Sequence, residues 1–266
     1  MKKTIICLLI LTLCSCGDVF QYHPYDVRIS GNHHINATNM ERIERECLNK
    51  AEIRVAVISD SHGWLTTLKK AISHINARND IDFIIHCGDL TDCATTKEFV
   101  ASRDALLQLH QPWVALIGNH DFLGTGDEAY DYIFGEVDFS FIAGRTKFIC
   151  LNTNATEYDY IAAVPNFDFM ENEITSRDAE YDHSVVVMHA APYTDQFNNN
   201  VAKAFGHYLQ FFKQLHCVIY GHEHRLEQRD IYHNGLLFYG MDTTNHNNYA
   251  VFTFNQTDYT HETVYF

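Results

Sequence analysis

The chain has 266 residues, with 34 acidic side chains against 19 basic ones and a formal charge of −15. Its length suits one large α/β domain, and an apolar content of 46% is enough for a sizeable core, which excludes a disordered polyelectrolyte. The acidity, with no run of Lys or Arg, also excludes a reader of phosphate backbones, so nucleic acid is not an expected partner.

In chain order, Lys2 and Lys3 precede an apolar run, Ile5 to Leu13, that is too short to span a bilayer. The run ends in Leu13-Cys14-Ser15-Cys16-Gly17, which resembles a bacterial lipobox: Leu three positions before the Cys that carries the lipid, and a small residue just before it. That resemblance implies a signal peptide over residues 1–15 and a lipid anchor on Cys16. Residues 16–52 would then form the anchor and an N-terminal segment, and residues 53–266 the working domain. It implies a place in the bacterial cell envelope, with the outer membrane preferred because Gly17 is not an Asp-type retention signal. Outside the targeting segment Cys47, Cys87, Cys93, Cys150 and Cys217 remain, an odd number in which no disulfide is identifiable. Cys87 and Cys217 follow apolar runs and read as buried thiols.

A helix is predicted over about 37–49, with Thr38 as cap and Met40, Ile43 and Leu48 as its apolar stripe. Then a βα relay begins. Strands are predicted at 53–59, 81–87 and 113–117, and helices at 65–78 and 95–110. Further strands are predicted at 139–142, 147–151, 185–188, 217–220, 236–239, 249–254 and 259–266, with helices near 167–176 and 200–215. This alternation implies parallel strand pairs, and the total implies two packed sheets with helices outside.

Metal-type side chains follow the apolar strands. Asp60-Ser61-His62 follows the first, Gly88-Asp89-Leu90-Thr91-Asp92 the second and Gly118-Asn119-His120-Asp121 the third. His189 follows the strand ending at Met188, and Gly221-His222-Glu223-His224 follows the one ending at Tyr220. Open α/β sheets bind ligands at the carboxyl ends of strands, so these segments can converge. One His after a strand is usually a loop residue, and with 17 His some fall there by chance, but five such segments in series are hard to assign to chance.

The ordered set D-x-H, G-D-x-x-D, G-N-H-D, a lone H and G-H-x-H resembles the signature of the calcineurin-like metallophosphoesterases. The resemblance runs from Asp60 to His224 with no block substituted. It implies a four-layer α/β/β/α sandwich of two mixed sheets with helices on the outside. It implies two divalent metal ions, one held by Asp60, His62, Asp89 and His224, the other by Asp89, Asn119, His189 and His222, with Asp89 shared. Imidazole, carboxylate and amide ligands suit Mn, Fe, Zn or Co, and the lack of Cys ligands argues against a structural zinc site. A hydroxide between the ions would attack phosphorus, and His120 would protonate the leaving group. Asp121 would hydrogen-bond His120 and favour its protonated form. Asp92 is expected to orient the Asp89 loop, and Asn152 and Asn154 either reach substrate or only make turns. His86 is expected to be a packed histidine, and His33 and His34 surface residues.

The expected substrate is a small phosphorylated molecule, and its choice falls to the loops 122–135 and 152–168. The G-N-H-D block resembles the bacterial branch that includes cyclic-nucleotide phosphodiesterases. A phosphomonoesterase or nucleotidase is the alternative, and a non-catalytic envelope binding protein is the alternative from another class. A lipid A precursor hydrolase would carry Arg where His120 stands.

The anchor reading gives a direct expectation. Several acyl chains on one Cys hold a protein stably, at ~0.8 kcal/mol per buried methylene. Cys16→Ala should therefore leave the membrane pellet and appear in the soluble fraction of detergent-free lysate. A Cys16→Ala protein that still sediments with membranes rules the anchor out.

Overall fold

The computed structural model describes residues 23–159 and 161–266. The lipobox at Leu13–Cys16 lies outside them. Among the described residues, no helix is long and apolar enough to cross a membrane.

The described residues open with α1 (Ile35–Cys47), β1 (Ile53–Ile58), α2 (Leu65–Asn76), β2 (Phe83–His86), α3 (Thr96–Leu106) and β3 (Trp113–Ala115). A short 3-10 turn over Asn119–Phe122 leads into α4 (Gly126–Phe134). The second half holds β4 (Phe139–Ala143), β5 (Thr146–Leu151), α5 (Phe167–Thr175), β6 (His183–Met188), α6 (Ala202–Leu209), β7 (Leu215–Tyr220), β8 (Glu227–Arg229) and β9 (Leu237–Gly240). It closes with β10 (Asn248–Phe254) and β11 (Tyr259–Tyr265).

Two sheets result. One has the order β11-β10-β1-β2-β3, the other β4-β5-β6-β7-β9-β8. In the first, β1, β2 and β3 run parallel; in the second, β5, β6, β7 and β9 do. The strands are β-branched and aromatic, and period two splits their side chains between two faces. Val55, Val57, Phe83 and Ile85 face Phe141, Phe148, Val185, Val187 and Ile219 across the space between the sheets. The alternate residues Ala56, Ile58 and Ile84 meet Leu68, Ile72, Phe99 and Ile133 of the outer helices. On the other side Ile149, Val186 and Val218 meet Met170, Phe205 and Leu209. This is the expected α/β/β/α order. Cys47, Cys87, Cys150 and Cys217 are buried free thiols, all in the layer between the sheets.

Helix α1 differs from the prediction at both ends. His34, in a left-handed conformation, precedes it without a side-chain cap, and Thr38 lies inside it. Its buried face is Ile35, Asn36, Ile43 and Cys47, whereas Leu48 is exposed. The reason lies in what α1 covers. Asn36 donates to the Ala115 carbonyl at 2.8 Å and accepts from the Ala115 amide at 3.0 Å, so it occupies the free edge of β3. Asn39 donates to the Trp113 carbonyl at 2.7 Å, and Glu44 accepts from the Ile142 amide of β4 at 2.9 Å. The helix register is set by these polar contacts as much as by an apolar stripe. Two further elements carried no clear signal: α4 lies in what reads as a loop, and β8 is a three-residue polar edge strand. Helix α6 is also shorter than predicted.

Asn36 is buried, so losing its side chain strands the Ala115 amide without a partner. Asn36→Ala should cost about 1–3 kcal/mol, read as a lower urea midpoint. An unchanged midpoint would show that the helix holds β3 by packing alone.

Candidate metal centre

The parallel strands deliver their following loops to one end of the sandwich. Backbone hydrogen bonds then stitch those loops together. Asp60 N donates to Gly88 O at 3.1 Å, His62 N to Asp89 O at 2.9 Å and Gly221 N to His189 O at 3.0 Å. Two glycines permit this approach. A Cβ on Gly118 would lie 2.1 Å from the Asp89 amide nitrogen, and one on Gly221 would lie 2.3 Å from Ser59 Oγ. Asp60, His62, Asp89, His222 and His224 all have positive φ, between 44° and 69°. Such backbone is costly for non-glycine residues and persists only where surrounding contacts enforce it.

Two ligand-type groups that share Asp89 converge here, beside a third of His62, Asp92 and His120. Asp60, His62, Asp89 and His224 bring one donor atom each to within 4.8 Å of one another, and so do Asp89, His189 and His222. Asp89 faces both. Its Oδ2 lies 3.6 Å from His62 Nε2, and its Oδ1 lies 3.4 Å from His189 Nε2. The Asn119 side-chain oxygen joins the second group, 3.0 Å from both His189 Nε2 and His222 Nδ1. In the first group His62 Nε2 and His224 Nε2 stand 3.0 Å apart, and His224 Nε2 is 3.2 Å from Asp60 Oδ1. Ring nitrogens and carboxylate oxygens aimed at a common point form a donor set that a divalent cation satisfies. All seven residues expected as ligands are therefore brought together, with Asp60, Asp89 and His189 buried on the floor and His224 exposed at the rim.

The electrostatics follow. Burial alone would raise the Asp89 carboxyl, but the imidazoles of His189, His62 and His120 outweigh it and hold it well below the usual range. Burial pulls His189 down, but Asp89 and Asp60 prevail and push it up to about 9. His86 is a packed histidine, pushed down to about 4 by burial, and shares a hydrogen bond with Ser61 Oγ at 3.0 Å.

Four neighbouring residues differ from expectation or add to it. Asp121 does not touch His120. It holds the third position of the 3-10 turn and reaches back to the Gly118 amide at 2.9 Å, as a capping carboxylate does. It also accepts from the Leu90 and Thr91 amides at 3.1 and 2.9 Å and from Thr91 Oγ1 at 2.8 Å. Asp121 thus ties the Asp89 loop to the Asn119 loop, the task expected of Asp92. Asp92 instead faces the imidazoles: its carbonyl is 2.9 Å from His120 Nδ1, and its Oδ1 is 3.8 Å from both His62 Nδ1 and His120 Nδ1. Asn152 and Asn154 are buried loop braces. Asn154 donates to the Ile117 carbonyl at 3.0 Å, just ahead of Gly118, and to Asn152 Oδ1 at 3.0 Å.

Sequence reading gave no sign of Thr243, Thr244 or Asp195. The two threonine hydroxyls donate to the carbonyls of Asp60 and Ser59 at 2.7 and 2.8 Å. Asp195 Oδ1 lies 2.7 Å from His222 Nε2, and that contact holds its carboxyl below the usual range. Each is separated from its partner by tens of residues, and only the assembled sheets bring them together.

The family model of calcineurin-like phosphoesterases matches residues 53–226, which takes in all seven candidate ligands from Asp60 to His224. The chain belongs to the calcineurin-like phosphoesterases. Solved structures agree on the fold. GAP50, described as the anchor in the inner membrane complex of Plasmodium, matches with a TM-score of 0.59 at 13% identity, over 81% of this chain and 85% of that one. The purple acid phosphatase PPD1 of yellow lupin matches with a TM-score of 0.56 at 17% identity, over 82% of this chain and 54% of that one. YfkN of Bacillus subtilis, itself described as a calcineurin-like phosphoesterase, gives 0.50 at 10% identity, over 80% and 90%. No curated protein matches the sequence. In this family member the residues of the signature lie close together in the fold.

His189, raised to about 9, carries a proton at neutral pH in the metal-free protein, and an ion must displace it. Metal affinity should therefore rise with pH until about 9, by up to about tenfold per pH unit for one displaced proton. Calorimetric Mn²⁺ titration in buffers of different ionisation enthalpy measures that proton release. Affinity that does not change with pH below that point would contradict the protonated His189.

Proposed function

We propose that the chain is a dinuclear metal-dependent phosphoesterase that hydrolyses a phosphodiester, with His120 as general acid. The observation that carries this reading is Asp89, whose two oxygens face two separate imidazole groups, as a carboxylate shared by two ions must. Two ions of the Mn, Fe, Zn or Co type bound there would supply a nucleophilic hydroxide near neutral pH and stabilise charge at phosphorus.

The protein's own side chains supply the rest. The Asp92 carbonyl only accepts, so His120 Nδ1 carries a hydrogen and Nε2 is the nitrogen that exchanges a proton. The His120 amide donates to Asp89 Oδ1 at 2.9 Å, which fixes the ring's distance from the centre. The ring packs edge-on to His62 with centroids 4.6 Å apart, and with its side chain 39% exposed it stands at the rim where a leaving group departs. That placement suits proton donation to an alkoxide.

The rim also bears on substrate. The loops 59–64, 88–95, 116–125, 152–166, 189–201, 221–226 and 241–247 contain one Lys or Arg side chain, Arg225. Arg225 is already held by Glu223 at 2.6 Å and Glu227 at 3.1 Å. Asp92 and Asp195 stand exposed beside the site. A substrate with several phosphates would bring charge that no side chain there balances. A diester, with a single negative charge, suits such a rim better than a polyphosphate. A phosphomonoester such as a nucleotide is the competing substrate, and a cyclic nucleotide is one form of the diester.

Fold alone does not decide catalysis, since the Plasmodium relative is described as an anchor. The complete ligand set favours an enzyme over a binding lipoprotein. The proposal extends to place: a bacterial envelope membrane, reached through acylated Cys16 as the Leu13–Cys16 sequence suggests.

Diesters, monoesters and cyclic nucleotides offered to the metal-loaded protein should favour diesters. His120→Ala should keep both ions yet lose about 10²–10⁴-fold in turnover of an alkyl ester. The loss should shrink for a nitrophenyl ester, whose leaving group needs no proton. Equal losses on both esters would show that His120 binds the phosphoryl group and does not donate a proton.

A further inference from the structure

Asp195 belongs to none of the sequence blocks. It lies in the loop after β6, and its Oδ1 meets His222 Nε2 at 2.7 Å. A carboxylate only accepts, so Nε2 carries the hydrogen, which leaves the lone pair of a neutral ring on Nδ1. That nitrogen faces the Asn119 oxygen at 3.0 Å, in the direction of Asp89 and His189. The neighbouring imidazole is treated the same way by different means. His189 Nδ1 donates to the Cys87 carbonyl at 2.8 Å, which leaves Nε2 to face the centre.

The Asp195 side chain is 82% exposed, but the backbone that carries it is braced on both sides. Before it, Thr194 Oγ1 donates to the Ala191 carbonyl at 2.8 Å. Asn199 holds the Tyr193 amide at 2.8 Å and the Thr194 carbonyl at 2.7 Å. After it, the Gln196 carbonyl accepts from the Ala155 amide at 2.9 Å, and Phe197 is fully buried. The carboxylate is therefore offered to His222 from a fixed position. An exposed ion pair adds little to folding stability. A contact that fixes the ring nitrogen of a metal ligand acts instead on ion affinity.

We propose that Asp195 is a positioning residue for the second metal position, holding His222 in the tautomer and orientation whose Nδ1 can bind an ion. This rests on the two-metal reading above. The test is titration of the full-length, metal-free protein with Mn²⁺, followed by calorimetry and by electron paramagnetic resonance, which separates a coupled ion pair from a single ion.

For Asp195→Ala, the affinity for one ion should fall about 10–100-fold, with the other unchanged. At intermediate Mn²⁺ the coupled signal should give way to that of a single ion, and the thermal unfolding of the metal-free variant should match wild type. Asp195→Asn, whose amide oxygen can still accept from Nε2, should bind both ions nearly as wild type does. An Ala variant that binds both ions normally, or that weakens both equally, overturns the proposal. So does an Asn variant as weak as Ala, which would make charge and not orientation the cause. A wild-type protein that never shows a coupled pair overturns the two-metal reading itself.

Discussion

Three carboxylates, Asp60, Asp89 and Asp121, are buried together at one end of this sandwich, and the surrounding structure is organised to tolerate them. Buried carboxylates repel one another and forgo hydration, so each needs its own compensation. Asp121 is satisfied by four hydrogen bonds donated from two loops. Asp60 accepts from Ser59 Oγ and the His222 amide and faces His224. Asp89 accepts from the His120 amide and is flanked by imidazoles on both sides. The left-handed backbone, the close-packed glycines and the threonines after β9 keep these groups closer than relaxed loops would. A pair of cations would complete the compensation.

The strands and their terminal motifs were legible because both are local. Alternating or continuous apolar runs mark β1, β2, β6 and β7, and the polar block after each is contiguous in sequence. The candidate ligands came through the family signature, and the fold brings those residues close together. What stayed hidden depends on direction or on distance. Asp121 and His120 are adjacent in sequence, which suggested a partnership, but the 3-10 turn sends one side chain inward and the other to the rim. Asp195, Thr243 and Thr244 act on partners far away in the chain, and no periodicity marks them. The register of α1 was misread because its buried face is partly polar: Asn36 belongs there for its hydrogen bonds, and no hydrophobic pattern reports that.

The site also divides its work between floor and rim. Floor residues are buried and bound by several contacts each, so they set geometry. Rim residues, His120, His224, Asp92 and Asp195, are at least partly exposed. In the proposed reaction, proton exchange and substrate approach would fall to the rim, where side chains can move without disturbing the carboxylates beneath.

The placement of α1 has a consequence for how the protein can be cut. The helix precedes the matched region, and a version that starts at residue 53 and runs to residue 266 would lose it. Asn36, Asn39 and Glu44 would go, and the outer edges of β3 and β4 would present bare amides and carbonyls to other molecules. Exposed strand edges recruit one another into intermolecular sheets. A shortened protein starting at the first strand is thus primed to aggregate even with every metal ligand intact, whereas one that begins ahead of Ile35 keeps both edges closed.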